Sequence, residues 1–94
     1  MALIPPVDAK HPKSRIKRVH NVLYDGTKPG NLEFSIAELE LHSGKIVKGI
    51  RYDRSWWSVN PEKGYPLVQG GLPSWFILPD NFQFIIPKDS QISI

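Results

Sequence analysis

The chain has 94 residues, a net charge of +3 and no cysteine. That is the size of one domain, and it excludes disulfides, thiolate metal sites and a cysteine nucleophile. With 40% hydrophobic and 22% charged residues the chain is too apolar for a disordered protein.

Residues 1–14 contain Pro5, Pro6 and Pro12 and show no periodicity, which predicts an extended, partly disordered arm ahead of a single domain over 15–94. The start, Met1-Ala2-Leu3-Ile4-Pro5-Pro6, lacks the charged and apolar regions of a signal peptide. No apolar run approaches the ~20 residues of a membrane span. A cytoplasmic protein without membrane contact is therefore expected. Residues 1–20 carry a balance of +4 and the remainder −1, so the basicity belongs to the arm and its junction. Lys13, Arg15, Lys17 and Arg18 are the candidate contacts to an anionic partner.

No helical stripe of apolar residues follows. Nine prolines and seven glycines punctuate the chain, which suits short strands and turns. Strands are predicted at 15–23, 33–41, 45–52, 55–59, 74–78 and 82–86. The breaks between them fall at Asp25-Gly26 and Pro29-Gly30, in the loop 60–66, at Gly70-Gly71, and at a tight Asp80-Asn81 turn. The expected fold is mainly β, a small antiparallel barrel of SH3-like type or a compact sandwich of about five to six short strands.

The central hairpin is specified in detail. A three-residue His42-Ser43-Gly44 loop pairs Leu39 with Val47, Ala37 with Gly49 and Glu38 with Lys48. Apolar partners then meet on one face and opposite charges on the other, and a two-residue turn would break that match. The charged face also carries Phe34, Ile36, Ile46, Ile50 and Tyr52. Two apolar faces imply either a sheet that curls to cover itself or a second surface that meets a partner, including a second copy in a homodimer.

Phosphate-binding, dinucleotide and nucleophile-elbow motifs are absent, and His11, His20 and His42 have no metal-ligand spacing. No metal and no cofactor is expected. Glu38 and Glu40 share one face, the arrangement of a carboxylate pair, and with His20 and the Arg51-Tyr52-Asp53-Arg54 cluster they are the basis of a distant third reading as a small hydrolase. The aromatic pairs say more. Trp56-Trp57 and Trp75-Phe76 would point alternately inward and outward if they lie in strands. Exposed tryptophan near Arg51 and Arg54 is what base stacking or protein docking uses.

The runs Phe34-Ser35-Ile36-Ala37-Glu38-Leu39-Glu40-Leu41, Gly49-Ile50-Arg51-Tyr52-Asp53 and Pro73-Ser74-Trp75-Phe76-Ile77-Leu78-Pro79 resemble small uncharacterised bacterial β domains, some carried by phages or mobile gene cassettes. The resemblance spans about residues 15–87. It implies a compact β fold of bacterial or mobile-element origin, with no activity and no site residue attached.

The expectation is a non-catalytic binding module for a protein or a nucleic acid. Arg51, Arg54, Trp56, Trp57 and Trp75 would form its contact surface, with Lys13, Arg15, Lys17 and Arg18 beside them. Self-association through the hairpin face is the alternative.

Overall fold

The hairpin forms in the predicted register. In the computed structural model, which describes residues 3–57, 60–68 and 70–79, β2 (Phe34–Leu41) runs antiparallel to β3 (Ile46–Tyr52). Leu39 faces Val47, Ala37 faces Gly49 and Glu38 faces Lys48. The loop closes with Leu41 N–H donating to Lys45 O and Gly44 N–H to Leu41 O, both 2.9 Å. Gly44 sits at φ +92°, a conformation that side chains with a Cβ rarely adopt.

Strand β1 (Ile16–Tyr24) pairs antiparallel with β2, and its register shifts three times along the ladder. Such irregularities bend and twist an edge strand. Together with the exposed Lys17, Arg18 and His20 they blunt it against pairing with another chain. Two short strands, β4 (Leu67–Val68) and β5 (Leu72–Pro73), make a separate ribbon. Strand β6 (Phe76–Ile77) pairs with β3 and completes a sheet of order β1-β2-β3-β6. The fold is mainly β and antiparallel. Among the described residues β1 and β6 stand at opposite ends of the sheet, which is open rather than closed into a barrel.

Two predicted strands are corrected. Residues 55–57 form a turn instead of the start of a strand. Ser55 N–H donates to Pro61 O at 2.9 Å and its hydroxyl donates to Gly64 O at 3.2 Å, so this backbone is held by a loop and not by a ladder. The strand at 74–78 shrinks to β6 because Ser74 N–H turns away to Pro66 O at 3.0 Å. The strand expected at 82–86 and the Asp80-Asn81 turn lie outside the described residues.

Ile36, 2% exposed, is buried on one face of the sheet, while the main buried cluster lies on the opposite face. Ala37, Leu39 and Val47 pack there with Ile16, Ala9 and Trp75, and Val19 and Leu41 lie at its margin. Trp75 lies across Gly49, where an added Cβ would sit 2.8 Å from Leu39 Cδ1 and 3.1 Å from Trp75 Cβ. Burying an indole removes roughly 150–250 Å² from water, a large share of the burial in so small a core.

The arm is corrected as well. Residues 5–11 are docked on the core face. A 3-10 turn over Pro6–Asp8 buries Pro6, and Ala9 is fully buried. The Trp75 indole N–H donates to Ala9 O, and His11 N–H donates to Pro73 O at 3.2 Å. A segment that looks disordered by composition becomes the second layer, because the small sheet has few other residues to cover that face.

Candidate functional site

Arg51 and Trp75 were candidates for the exposed contact surface, and both are buried. Arg51 is 1% exposed and Trp75 is 5% exposed. Strand alternation explains the arginine. Val47, Gly49 and Arg51 share a face, and that face is covered. The Arg51 guanidinium donates from Nη1 to Ser74 O at 2.7 Å and from Nη2 to Lys63 O at 2.6 Å. Its Nε lies 3.9 Å from Asp53 Oδ1, and among the described residues neither atom makes a hydrogen bond. Asp53 Oδ2 accepts from the Ser35 hydroxyl at 2.6 Å, and Ser35 Oγ accepts from Gly26 N–H at 3.0 Å. This buried cluster fastens the loop 60–66 and the approach to β6 against β3. Gly64 shows how close the approach is. It sits at φ +72°, and a Cβ there would run into Tyr52 O and Arg51 Nη2.

Burial pushes the Asp53 carboxyl up to about 6 from an ordinary 3.8, against the opposing pull of the Ser35 hydrogen bond and the Arg51 charge. Burial also pulls Arg51 below its ordinary value. The folded state therefore holds the Asp53 proton more tightly than the unfolded chain. Its stability should rise as pH falls through about 6, with the gain complete near 3.8. The expected result is a fold about 1 kcal/mol more stable at pH 5 than at pH 7.5, read from urea midpoints. Asp53→Asn should flatten that slope, and a stability that climbs with pH would contradict the assignment. The comparison stops at pH 5 because Glu40, held below its ordinary 4.5 chiefly by the Arg18 hydrogen bond, acts in the opposite direction at lower pH.

The loop that Arg51 anchors carries Tyr65, which meets an exposed array of rings. Trp57 is its hub. Its centroid lies 5.4 Å from Tyr52, 5.4 Å from Trp56 and 5.9 Å from Tyr65, with interplanar angles of 90°, 85° and 67°. Tyr65 continues the array to Phe76 at 5.7 Å. Edge-to-face contacts of this kind are worth about 0.5–1.5 kcal/mol each, so the rings brace one another before any ligand arrives. They remain open to solvent, from 42% exposed at Tyr65 to 76% at Trp56. Beside them lies a groove of about 370 Å³ lined by Phe34, Ile50, Arg51, Tyr52 and Phe76.

Both residues of the first tryptophan pair face outward, because they occupy a turn and not a strand. Arg54 is half-buried beside them and donates from Nε to Glu33 Oε2 at 2.9 Å. Lys13, Arg15, Lys17 and Arg18 are exposed, but they lie at the other end of the sheet. Ile16 pairs with Leu41 beside the β2–β3 turn, and His42 in that turn binds Lys13 O. From Ile46 to Tyr52 the strand covers about 20 Å, so the basic residues and the tryptophans form two separate surfaces. Glu40, one of the paired carboxylates, is engaged by Arg18 Nε at 2.5 Å and Lys17 Nζ at 3.9 Å. Among the described residues no group of three His, Asp or Glu side chains is placed to hold a metal ion. No helix of the described residues is long and apolar enough to cross a membrane.

Tyr65 was not singled out from the sequence, and Tyr52 and Phe76 were not among the predicted site residues. Tyr52 and Phe76 had a signal in strand alternation. Tyr65 had none, since only the return of the 60–66 loop to β3, through the Tyr52–Tyr65 bridge, brings it into the array. No protein-family model, no curated protein and no solved structure matches this chain.

Proposed function

We propose that this protein is a non-catalytic docking module whose exposed aromatic array binds a protein partner. The observation that carries this reading is the array itself, in which Tyr52, Trp56, Trp57, Tyr65 and Phe76 are all between 42% and 76% exposed. Together they expose on the order of 500 Å², near the top of the range for the largest apolar patch on a monomeric protein. Interface cores are rich in Trp, Tyr and Phe and poor in charge, and a few such rings carry most of the binding energy. Nucleic acid is the weaker match, because phosphate neutralisation dominates that affinity. Of the two arginines flanking Tyr52 and Trp56, Arg51 is buried and Arg54 is paired with Glu33, and the basic residues of the arm lie at the far end of the sheet.

A peptide library displayed on phage and selected against the whole protein tests the proposal. Selected peptides with apolar anchors should change tryptophan fluorescence on binding. Their affinity should fall about tenfold or more in Trp57→Ala, while the variant, though it loses three ring contacts, stays folded by circular dichroism because Trp57 is half exposed and outside the buried core. Peptides that bind the variant and the wild type alike would overturn the reading. Saturable, salt-sensitive quenching by an oligonucleotide instead would transfer the array to nucleic acid.

Self-association is the second reading, favoured by Ile46 and Tyr52, 42% and 49% exposed on the face that also carries Ile50. It requires a dimer mass by light scattering that Ile50→Lys returns to a monomer. A wild-type mass that stays monomeric at high concentration removes it.

A further inference from the structure

We propose that the concavity between the arm and the β2–β3 turn binds a phosphate group. It lies at the opposite end of the sheet from the aromatic array and does not depend on the docking reading. Its volume is about 310 Å³ and its lining is Lys10, Lys13, Ile16, Lys17 and His42. Ile16, 2% exposed, is its apolar lining residue, and the other four are three lysines and a histidine. Among the described residues no carboxylate lines it.

These residues line one concavity because the backbone brings their segments together. The chain turns at Pro12, with Arg15 N–H and Ile16 N–H both directed to Pro12 O at 3.0 and 2.9 Å. That turn brings Lys10 and Lys13 round to Lys17 on β1. His42 ties the β2–β3 turn to the same segment twice. Its backbone N–H donates to Arg15 O at 3.3 Å, and its Nε2 donates to Lys13 O at 2.5 Å. The ring is thereby oriented, with Nε2 protonated and the tautomer set by a carbonyl.

Lys10 and Lys13 form no ion pair among the described residues, and Lys17 has only a long contact to Glu40 at 3.9 Å. Like charges gathered with one distant carboxylate, Glu40, as counter-charge repel one another. A multiply charged anion relieves that repulsion and accepts several charge-assisted hydrogen bonds at once. A phosphate, with acceptor oxygens in several directions, suits an array of separate ammonium donors. The phosphate can come from a small molecule or from a nucleic-acid backbone, and the two sources need separate probes.

The test titrates pyrophosphate and, separately, a 12-nucleotide oligothymidylate into the whole protein at constant ionic strength. The readout is the His42 imidazole resonance together with calorimetry. The expected result is saturable binding of at least one probe with a shift at His42. Lys10→Gln combined with Lys13→Gln should weaken that binding about tenfold or more, while Lys48→Gln, on the other face, leaves it unchanged. Both Lys10 and Lys13 are exposed, so these variants keep the fold. Pyrophosphate binding identifies a small phosphate ligand, and binding of the oligonucleotide alone identifies the backbone as the source. Binding of neither probe, or losses as large in Lys48→Gln as in the double variant, overturns the proposal.

Discussion

Replacing Arg51 by alanine is expected to cost about 3–5 kcal/mol, the penalty for leaving the partner of a buried charge uncompensated. Small domains are stable by only about 5–15 kcal/mol, so the loss takes a large share of the total and should lower the urea midpoint sharply. Ser74 O and Lys63 O lose their donors, and Asp53, 1% exposed, loses the positive charge beside it. The measurement is urea unfolding followed by circular dichroism. A second signature separates this cause from simple loss of volume. Arg51 holds the Asp53 carboxyl down, so without it Asp53 takes up a proton at higher pH. The deficit of the variant should therefore shrink on acidification from pH 7.5 to pH 5, since a neutral Asp53 has less need of a partner. Arg51→Met combined with Asp53→Asn should recover part of the loss, because it removes both charges together. A single variant within about 1 kcal/mol of wild type would mean that the arginine is bound to little of consequence.

Trp75→Ala should produce a loss of similar size, about 3–5 kcal/mol for truncating a buried aromatic side chain. The site has little means of collapsing. Trp75 rests on Gly49, which has no side chain to fill the gap, and its indole N–H holds Ala9 O. The damage should reach the arm. Amide exchange at residues 8–11 should speed up along with that of β6. Trp75→Phe retains most of the ring area but not the donor, and is expected to cost about 1–2 kcal/mol. Its exchange should rise selectively in the arm. If the arm exchanges as slowly in Trp75→Ala as in wild type, the tryptophan is not what holds it. In both experiments lost binding accompanies lost structure, whereas Trp57→Ala should lose binding and keep the fold.

The contrast among the tryptophans shows where sequence reasoning succeeded and where it stopped. The expectation that one residue of each pair faces out assumes a strand. It holds for Trp75 and Phe76, which flank and begin β6. It fails for Trp56 and Trp57, because a turn has no period of two and both rings project together. The arm reads as disordered because proline content and lack of periodicity report local preference only. Its docking depends on a carbonyl, Ala9 O, meeting an indole sixty-six residues away.

By itself the sequence determined the mainly β class and the β2–β3 register. Both follow from short-range rules: a side-chain period of two, opposite charges across the ladder at Glu38 and Lys48, and a glycine where the turn needs positive φ. Tertiary structure decided which side of that hairpin is covered, and with it the fate of Arg51, buried on the face of Val47 and Gly49. Alternation says that Arg51 and Tyr52 point to opposite sides, but not which side receives the arm and the 60–75 segment. That choice rests on non-local contacts, Trp75 to Ala9 and Arg51 to Ser74 and Lys63, whose partners are far apart in the chain. The same packing left the rings of Tyr52, Trp57, Tyr65 and Phe76 together on the open surface.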